Sequence, residues 1–390
     1  MQERLKNIEF LRIIGCIAVI MLHLFNKELY KVFPTVDMFQ TLKIMTSNGQ
    51  KAVDLFFILS GFFFAYKLNT NLDIIDFLRR KIIRFYPSVL FTVGIVLIAS
   101  TFGIFEFKLY DTILALCGLS GTALILDKSG THIGVFWYIS TLLWVSTLFY
   151  FLRKNYSKNW VNLTIAILVY CSYALLIQAK HGKINSTEQT FYNLFNAGML
   201  RGIGGIGVGY FIGEWWKTSK DKINNIFLNT YQKLIITSIE FCCLFFMINN
   251  LICRNLKYNN DMIYIVDFTT IIILFISKKG YISQFINNQL GDFCEIISKY
   301  TYSLYITHYC IISLLENTII KKYYVFFNSY PIFTITILLF SILAVGYFTY
   351  NFIEKPCNAF LKAGKTLVRV GGGKFGVCNL IRREQNAFKK

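Results

Sequence analysis

Ten apolar stretches recur along this chain, each long enough to read as a membrane crossing, with short basic loops between them. They fall at roughly 8–25, 52–67, 86–103, 133–152, 160–178, 196–214, 231–252, 261–277, 298–317 and 332–353. A lipid interior offers no water to backbone N–H and C=O groups, so a crossing segment is either a helix or part of a closed barrel. Windows of this length without polar alternation are helical. Only 16% of the residues are charged, against roughly 25% in a soluble domain. The expected fold is therefore all-α: a polytopic transmembrane helical bundle of about ten spans. The first window lacks a small-residue cleavage site and is read as a retained span.

Basic residues set the topology. With a cytoplasmic N-terminus, the inside loops carry 23 Lys and Arg and the outside loops 12. The positive-inside rule favours this arrangement, which places both termini in the cytoplasm. A further apolar window at 109–126 would invert every later loop if it crossed, so it is read as re-entrant or lying against the bundle. Residues 1–356 form the transmembrane domain in this reading. Residues 357–390 form a basic cytoplasmic tail containing Gly371-Gly372-Gly373, either disordered or attached to anionic headgroups.

The net charge of +19 belongs to those loops and predicts contact with membrane lipids, not with nucleic acid. The ten cysteines show no CxxC pair and read as small apolar packing residues. No metal site is expected, because the four histidines form no HxxxH or HExxH pattern. Gly202-Ile203-Gly204-Gly205-Ile206-Gly207 matches GxGxxG but lies inside an apolar window with no preceding strand, so it is not a dinucleotide loop. Gly205, Gly209 and Gly213 at four-residue spacing instead mark a face where another helix packs closely. Arg201 opens this stretch and either faces the interior or snorkels.

Ionisable groups within crossings are costly, and each is a candidate functional residue. Arg12 and His23 share the first window, about 16 Å apart along a helix. A cation and an imidazole at that separation suit a ligand with a charged head and a long reactive arm, as coenzyme A has. Snorkelling of Arg12, with His23 at the opposite interface, explains the segment equally well. Arg80, Lys81 and Arg84 cluster before the third window, where one helical face offers cations to a phosphate. The competing reading of the same residues, favoured by the cluster alone, is a positive-inside anchor. Asp54 begins the second window, placed either to orient a histidine across the bundle or as a charge at a helix start. Ser60-Gly61 permits close backbone approach. His308 ends the polar-aromatic stripe Tyr300 to His308 in the ninth window. His132 and His181 fall in expected outside loops.

Together these pieces resemble the acyltransferase-3 family of integral membrane O-acyltransferases, in family order along nearly the whole chain. Glu9-Phe10-Leu11-Arg12 followed by His23 looks like its first-helix motif. Asp54-Leu55-Phe56-Phe57-Ile58-Leu59-Ser60-Gly61-Phe62 is similar to its second-helix signature. Arg80-Lys81-Ile82-Ile83-Arg84-Phe85-Tyr86-Pro87 looks like its cytoplasmic basic motif, with Lys81 where arginine is usual. Trp137-Tyr138-Ile139-Ser140 resembles the start of the fourth helix. The glutamate that many members carry a few residues later is absent, since Thr141 to Tyr150 contains no carboxylate. Tyr302-Ser303-Leu304-Tyr305-Ile306-Thr307-His308 and Phe352-Ile353-Glu354-Lys355-Pro356 resemble the late motifs.

The resemblance implies a single-domain enzyme of a bacterial inner membrane, moving an acetyl or other short acyl group from cytoplasmic acyl-CoA to a sugar hydroxyl. The acceptor would be a cell-surface glycan such as lipopolysaccharide or its lipid-linked precursor. No permanently bound cofactor is expected, and acetyl-CoA is the expected donor. Arg12, Arg80, Lys81 and Arg84 would hold its phosphates. His23 would act as general base and Asp54 would orient it. Ser60 or Tyr305 would stabilise the oxyanion, and His308 is a further candidate. A rival class, a transporter or flippase for a lipid-linked sugar, would use the same cationic groove. That class predicts internal repeats or matched broken helices, and none is visible.

Overall fold

The computed structural model describes residues 5–359, except 30–31, 34–35, 107, 120–134, 180–181, 183, 185–189, 192–194 and 253–260. His132, His181 and tail residues 360–390 lie outside the described residues. The chain is helical. The first helix, α1 (Lys6–Met21), continues as a π-helix over Leu22–Leu29 and is followed by α2 (Asp37–Thr46), α3 (Ala52–Tyr66) and α4 (Ile74–Thr101). Next come α5 (Leu109–Leu116), α6 (Phe136–Asn155) and α7 (Lys158–Ala179). A small antiparallel pairing of Thr190–Phe191 with Phe195–Asn196 precedes α8 (Ala197–Asn224), α9 (Thr230–Ile252) and α10 (Met262–Ser277). The last part holds α11 (Tyr281–Phe285), α12 (Gly291–Ser298), α13 (Thr301–Leu315), α14 (Tyr324–Ser329) and α15 (Pro331–Phe348), with a π-helical end at Thr349–Glu354.

Every expected crossing window is occupied by a helix. Lys6–Asn26, Ile74–Thr101, Lys158–Ala179, Thr230–Ile252 and Pro331–Ala359 are long and apolar enough to cross a membrane. Met262–Ser277 is apolar but shorter. The 15-residue α3 spans about 22 Å, less than the ~30 Å of a hydrocarbon core. Nearly all of its side chains are buried by other helices, so it is an interior element.

The sequence reading and the structure differ at α4, which begins at Ile74 and not at the apolar edge near residue 86. Lys and Arg are good helix formers, so the helix runs on through the basic cluster after hydropathy drops. The doubtful window at 109–126 contains the eight-residue α5, about 12 Å long and too short to cross. It lies against the bundle: Tyr86 Oη donates to Leu116 O at 2.7 Å and Trp144 Nε1 to Gly118 O at 2.8 Å. Residues 120–126 lie outside the described residues.

The glycine face expected on α8 packs against α3. A Cβ on Gly209 would run into the backbone oxygen of Ile58, and one on Gly213 into Phe62 O at 2.6 Å. Gly61 answers from α3, where a Cβ would meet the backbone oxygen of Ile206. Small residues here bring the two backbones together, the source of helix association where hydrophobicity gives no drive. α1 is anchored by Asn7, whose Nδ2 donates to Phe275 O at 2.9 Å and Ser283 O at 3.0 Å.

Candidate active site

α1 carries a cation and an imidazole at two depths. Arg12 Nη1 donates to Glu9 Oε2 at 2.8 Å, and its guanidinium carbon lies 5.3 Å from the centre of the Phe63 ring. The pairing is i,i+3 on one helical face. α4 brings Arg84 into electrostatic reach of Arg12, and Lys81 into reach of Arg84. Lys81 Nζ sits over Phe77 at 5.5 Å and Phe85 at 5.9 Å, while Arg84 lies over Phe85 at 5.6 Å. Glu9 offsets Arg12 and Glu354 offsets Arg84 in this cluster. Arg80 is exposed on the same helix.

From these cations a series of aromatic groups leads into the bundle. Tyr138 lies within electrostatic range of both Arg12 and Arg84. Its hydroxyl is 3.2 Å from Ser60 Oγ, and its ring is 5.3 Å from that of Tyr305. The Tyr305 ring is 5.9 Å from the His308 imidazole, which meets the His23 imidazole at 5.0 Å. His23 lies in the π-helical continuation of α1, a geometry often found at functional sites. Tyr309 closes on His23 at 5.0 Å. The structure thus joins His23 to His308, and Ser60 and Tyr305 to the path between the cations and the histidines.

Asp54 has a different partner from the one expected. Its Oδ1 accepts from Arg201 Nε at 2.9 Å, and its Oδ2 accepts from Arg201 Nη2 at 2.8 Å and from Tyr264 Oη at 3.0 Å. Arg201 Nη2 also donates to Gln50 O at 3.0 Å. Both side chains are fully buried. A guanidinium satisfies a carboxylate through two parallel bonds, and a buried cation without a counter-charge is far costlier than a neutral imidazole. Asp54 therefore balances Arg201 and does not orient His23.

Residues 5–350 match the family model Acyl_transf_3, the acyltransferase domain. The chain belongs to the acyltransferase-3 family. Neither the comparison with curated proteins nor that with solved structures gave a match. It is an integral membrane acyltransferase, and two features of its interior escaped the sequence reading. Tyr138 was part of a motif without an assigned role, although a tyrosine at the mouth of an apolar helix was the available signal. Glu354, in the last π-helical turn, accepts from Ser303 Oγ at 2.6 Å and interacts with Arg84. Among the described residues no group of three His, Cys, Asp or Glu is placed to hold a metal ion.

Proposed function

We propose that this acyltransferase takes an acetyl or other short acyl group from cytoplasmic acyl-CoA and places it on a sugar hydroxyl of a surface glycan or its lipid-linked precursor. The bundle would cross a bacterial inner membrane about ten times with both termini inside. The observation that carries this reading is the continuous series Arg84 and Arg12, Tyr138, Tyr305, His308, His23. It pairs a cationic entrance with an imidazole about one CoA arm away, the ~16 Å that separates Arg12 from His23 along the helix.

In this reading Arg84, Arg12 and Lys81 hold the CoA phosphates, with Arg80 at the rim. Guanidinium groups suit that task through bidentate bonds. The pantetheine arm lies along Tyr138 and Tyr305, and the thioester reaches the histidines. His23 takes the proton of the acceptor hydroxyl. The hydroxyl oxygen bonds to the acyl carbon, the carbon–sulfur bond breaks, and the proton passes from the imidazolium to the thiolate, so CoA leaves as the thiol. Tyr305 Oη or Ser60 Oγ supplies a hydrogen bond to the oxyanion.

The direct test uses the purified full chain with acetyl-CoA and glycan-bearing membranes. Thiol release coupled to acetylated glycan, read by mass spectrometry, supports the proposal. A transporter would leave acetyl-CoA intact, and that result would remove the enzymatic reading of these residues.

A further inference from the structure

Around Arg201, at the start of α8, lies a second set of buried polar groups. Arg201 is fully buried, with Nε and Nη2 committed to Asp54 and Gln50 O. Its Nη1 has no hydrogen-bond partner among the described residues. The same holds for Thr141 Oγ1, Tyr173 Oη and Asn196 Nδ2, in residues 0%, 4% and 2% exposed. Buried polar atoms are bonded as a rule, so these unpartnered donors ask for a guest that accepts hydrogen bonds.

These groups share the first turns of α8. The Thr141 methyl lies where a Cβ on Gly202 would go, and the hydroxyl-bearing carbon of Tyr173 lies 2.6 Å from the Cβ position of Gly204. Trp137 packs against Gly198 and under the Arg201 guanidinium, 5.5 Å away. Asn196 spends Oδ1 on capping α8 at Met199 N, at 3.1 Å, which leaves its amide N–H groups. Tyr173 and Tyr305 both lie within electrostatic range of Arg201. Tyr305 is the ring beside His308. The cluster therefore lies within electrostatic range of the ring beside His308, and through Trp137 and Thr141 it shares α6 with Tyr138 of the proposed donor path.

Its chemistry selects the guest. Asp54 already balances the charge of Arg201, so a second anion would be unmatched. The available groups are an N–H of a neutralised guanidinium, two hydroxyls and an amide. We propose that they form an acceptor subsite for uncharged sugar oxygens, either a hydroxyl or an acetamido carbonyl, with the Trp137 ring as its apolar wall. This inference rests on the acyl-transfer reading above.

The test uses the purified full chain in lipid nanodiscs with acetyl-CoA. The acceptor probes are methyl β-glucoside, methyl N-acetyl-β-glucosaminide and methyl β-glucuronide, followed by CoA thiol release. The neutral glycosides should accelerate release more than the glucuronide. Thr141→Val and Tyr173→Phe remove one hydroxyl each at nearly constant shape. Each should raise the acceptor KM about two- to tenfold, the worth of one hydrogen bond, with the acetyl-CoA KM unchanged. Thr141→Ser should restore the wild-type value, which a packing defect would not do. An unchanged acceptor KM in both variants would assign these donors to ordered water and overturn the subsite, as would a preference for the glucuronide. Acetyl-CoA cleavage that no glycoside accelerates would also overturn it. Failure of the acyl-transfer reading looks different: wild-type protein would then release no thiol with any acceptor.

Discussion

The imidazoles of His23 and His308 meet edge to face with ring centres 5.0 Å apart, one from the end of the first helix and the other from α13. His308 Nδ1 lies 3.1 Å from Leu304 O. A carbonyl oxygen only accepts, so Nδ1 carries the proton and a neutral His308 keeps its lone pair on Nε2. One ring thus has its tautomer fixed by its own helix, and the other stands at the end of the path from the cations. In the proposed mechanism His23 is the acting base and His308 its neighbour.

The donor site gives the first prediction. Arg84→Ala removes the proposed phosphate contact, worth about 1.5–3 kcal/mol, so acetyl-CoA affinity should fall about tenfold to a hundredfold. Arg80→Ala, at an exposed position, should cost less. Donor binding to purified variants by calorimetry checks both. Unchanged affinity in the Arg84 variant would leave the cluster as a topological anchor alone.

Asp54 and Arg201 give the second. Removing one member of a buried pair strands the other charge, a cost of about 3–5 kcal/mol in proteins. Asp54→Ala should therefore lower thermal stability sharply. Replacing both, as Asp54→Leu with Arg201→Met, should recover much of that loss, because paired charges pay desolvation that apolar side chains avoid. Thermal unfolding in detergent of Asp54→Leu, Arg201→Met and the double variant measures the cycle, and additive losses would contradict the pairing.

Topology gives the third. With Cys378 as the single remaining cysteine, a membrane-impermeant thiol reagent should label the chain only after cells are opened. Labelling of intact cells would overturn the cytoplasmic tail.

A fourth concerns pH. Lys154 Nζ donates to Asp73 Oδ1 at 2.7 Å, ahead of α4, and this hydrogen bond holds the carboxyl below its ordinary 3.8. The folded value lies below the unfolded one, so the contribution is present at neutral pH and is lost as pH falls through the folded value. The gain is small because the pair is exposed. Unfolding temperatures of wild type and Asp73→Asn should differ slightly at neutral pH and converge in acid.

Much of the architecture was legible because hydropathy and helix length are local properties. The windows, the short segment near residue 109 and the glycine face at 205, 209 and 213 all follow from one stretch of sequence at a time. The partner of Asp54 did not, because pairing is decided by which helices meet. A buried carboxylate at 54 and a cation at 201 each needed a counter-charge, and matching them was the available signal. A histidine seemed the better partner only while Arg201 was free to snorkel. The meeting of His23 with His308 was visible only as two histidines within crossings.

The central claim is that His23 removes the acceptor proton, and the measurement that tests it most directly is acetyl transfer and acetyl-CoA binding in the same His23→Ala protein. General-base catalysis contributes about 10²–10⁴-fold. Turnover should fall by that order while donor affinity and folding stay near wild type, and His308→Ala should lose less. Turnover at the wild-type level in folded His23→Ala protein would contradict the account.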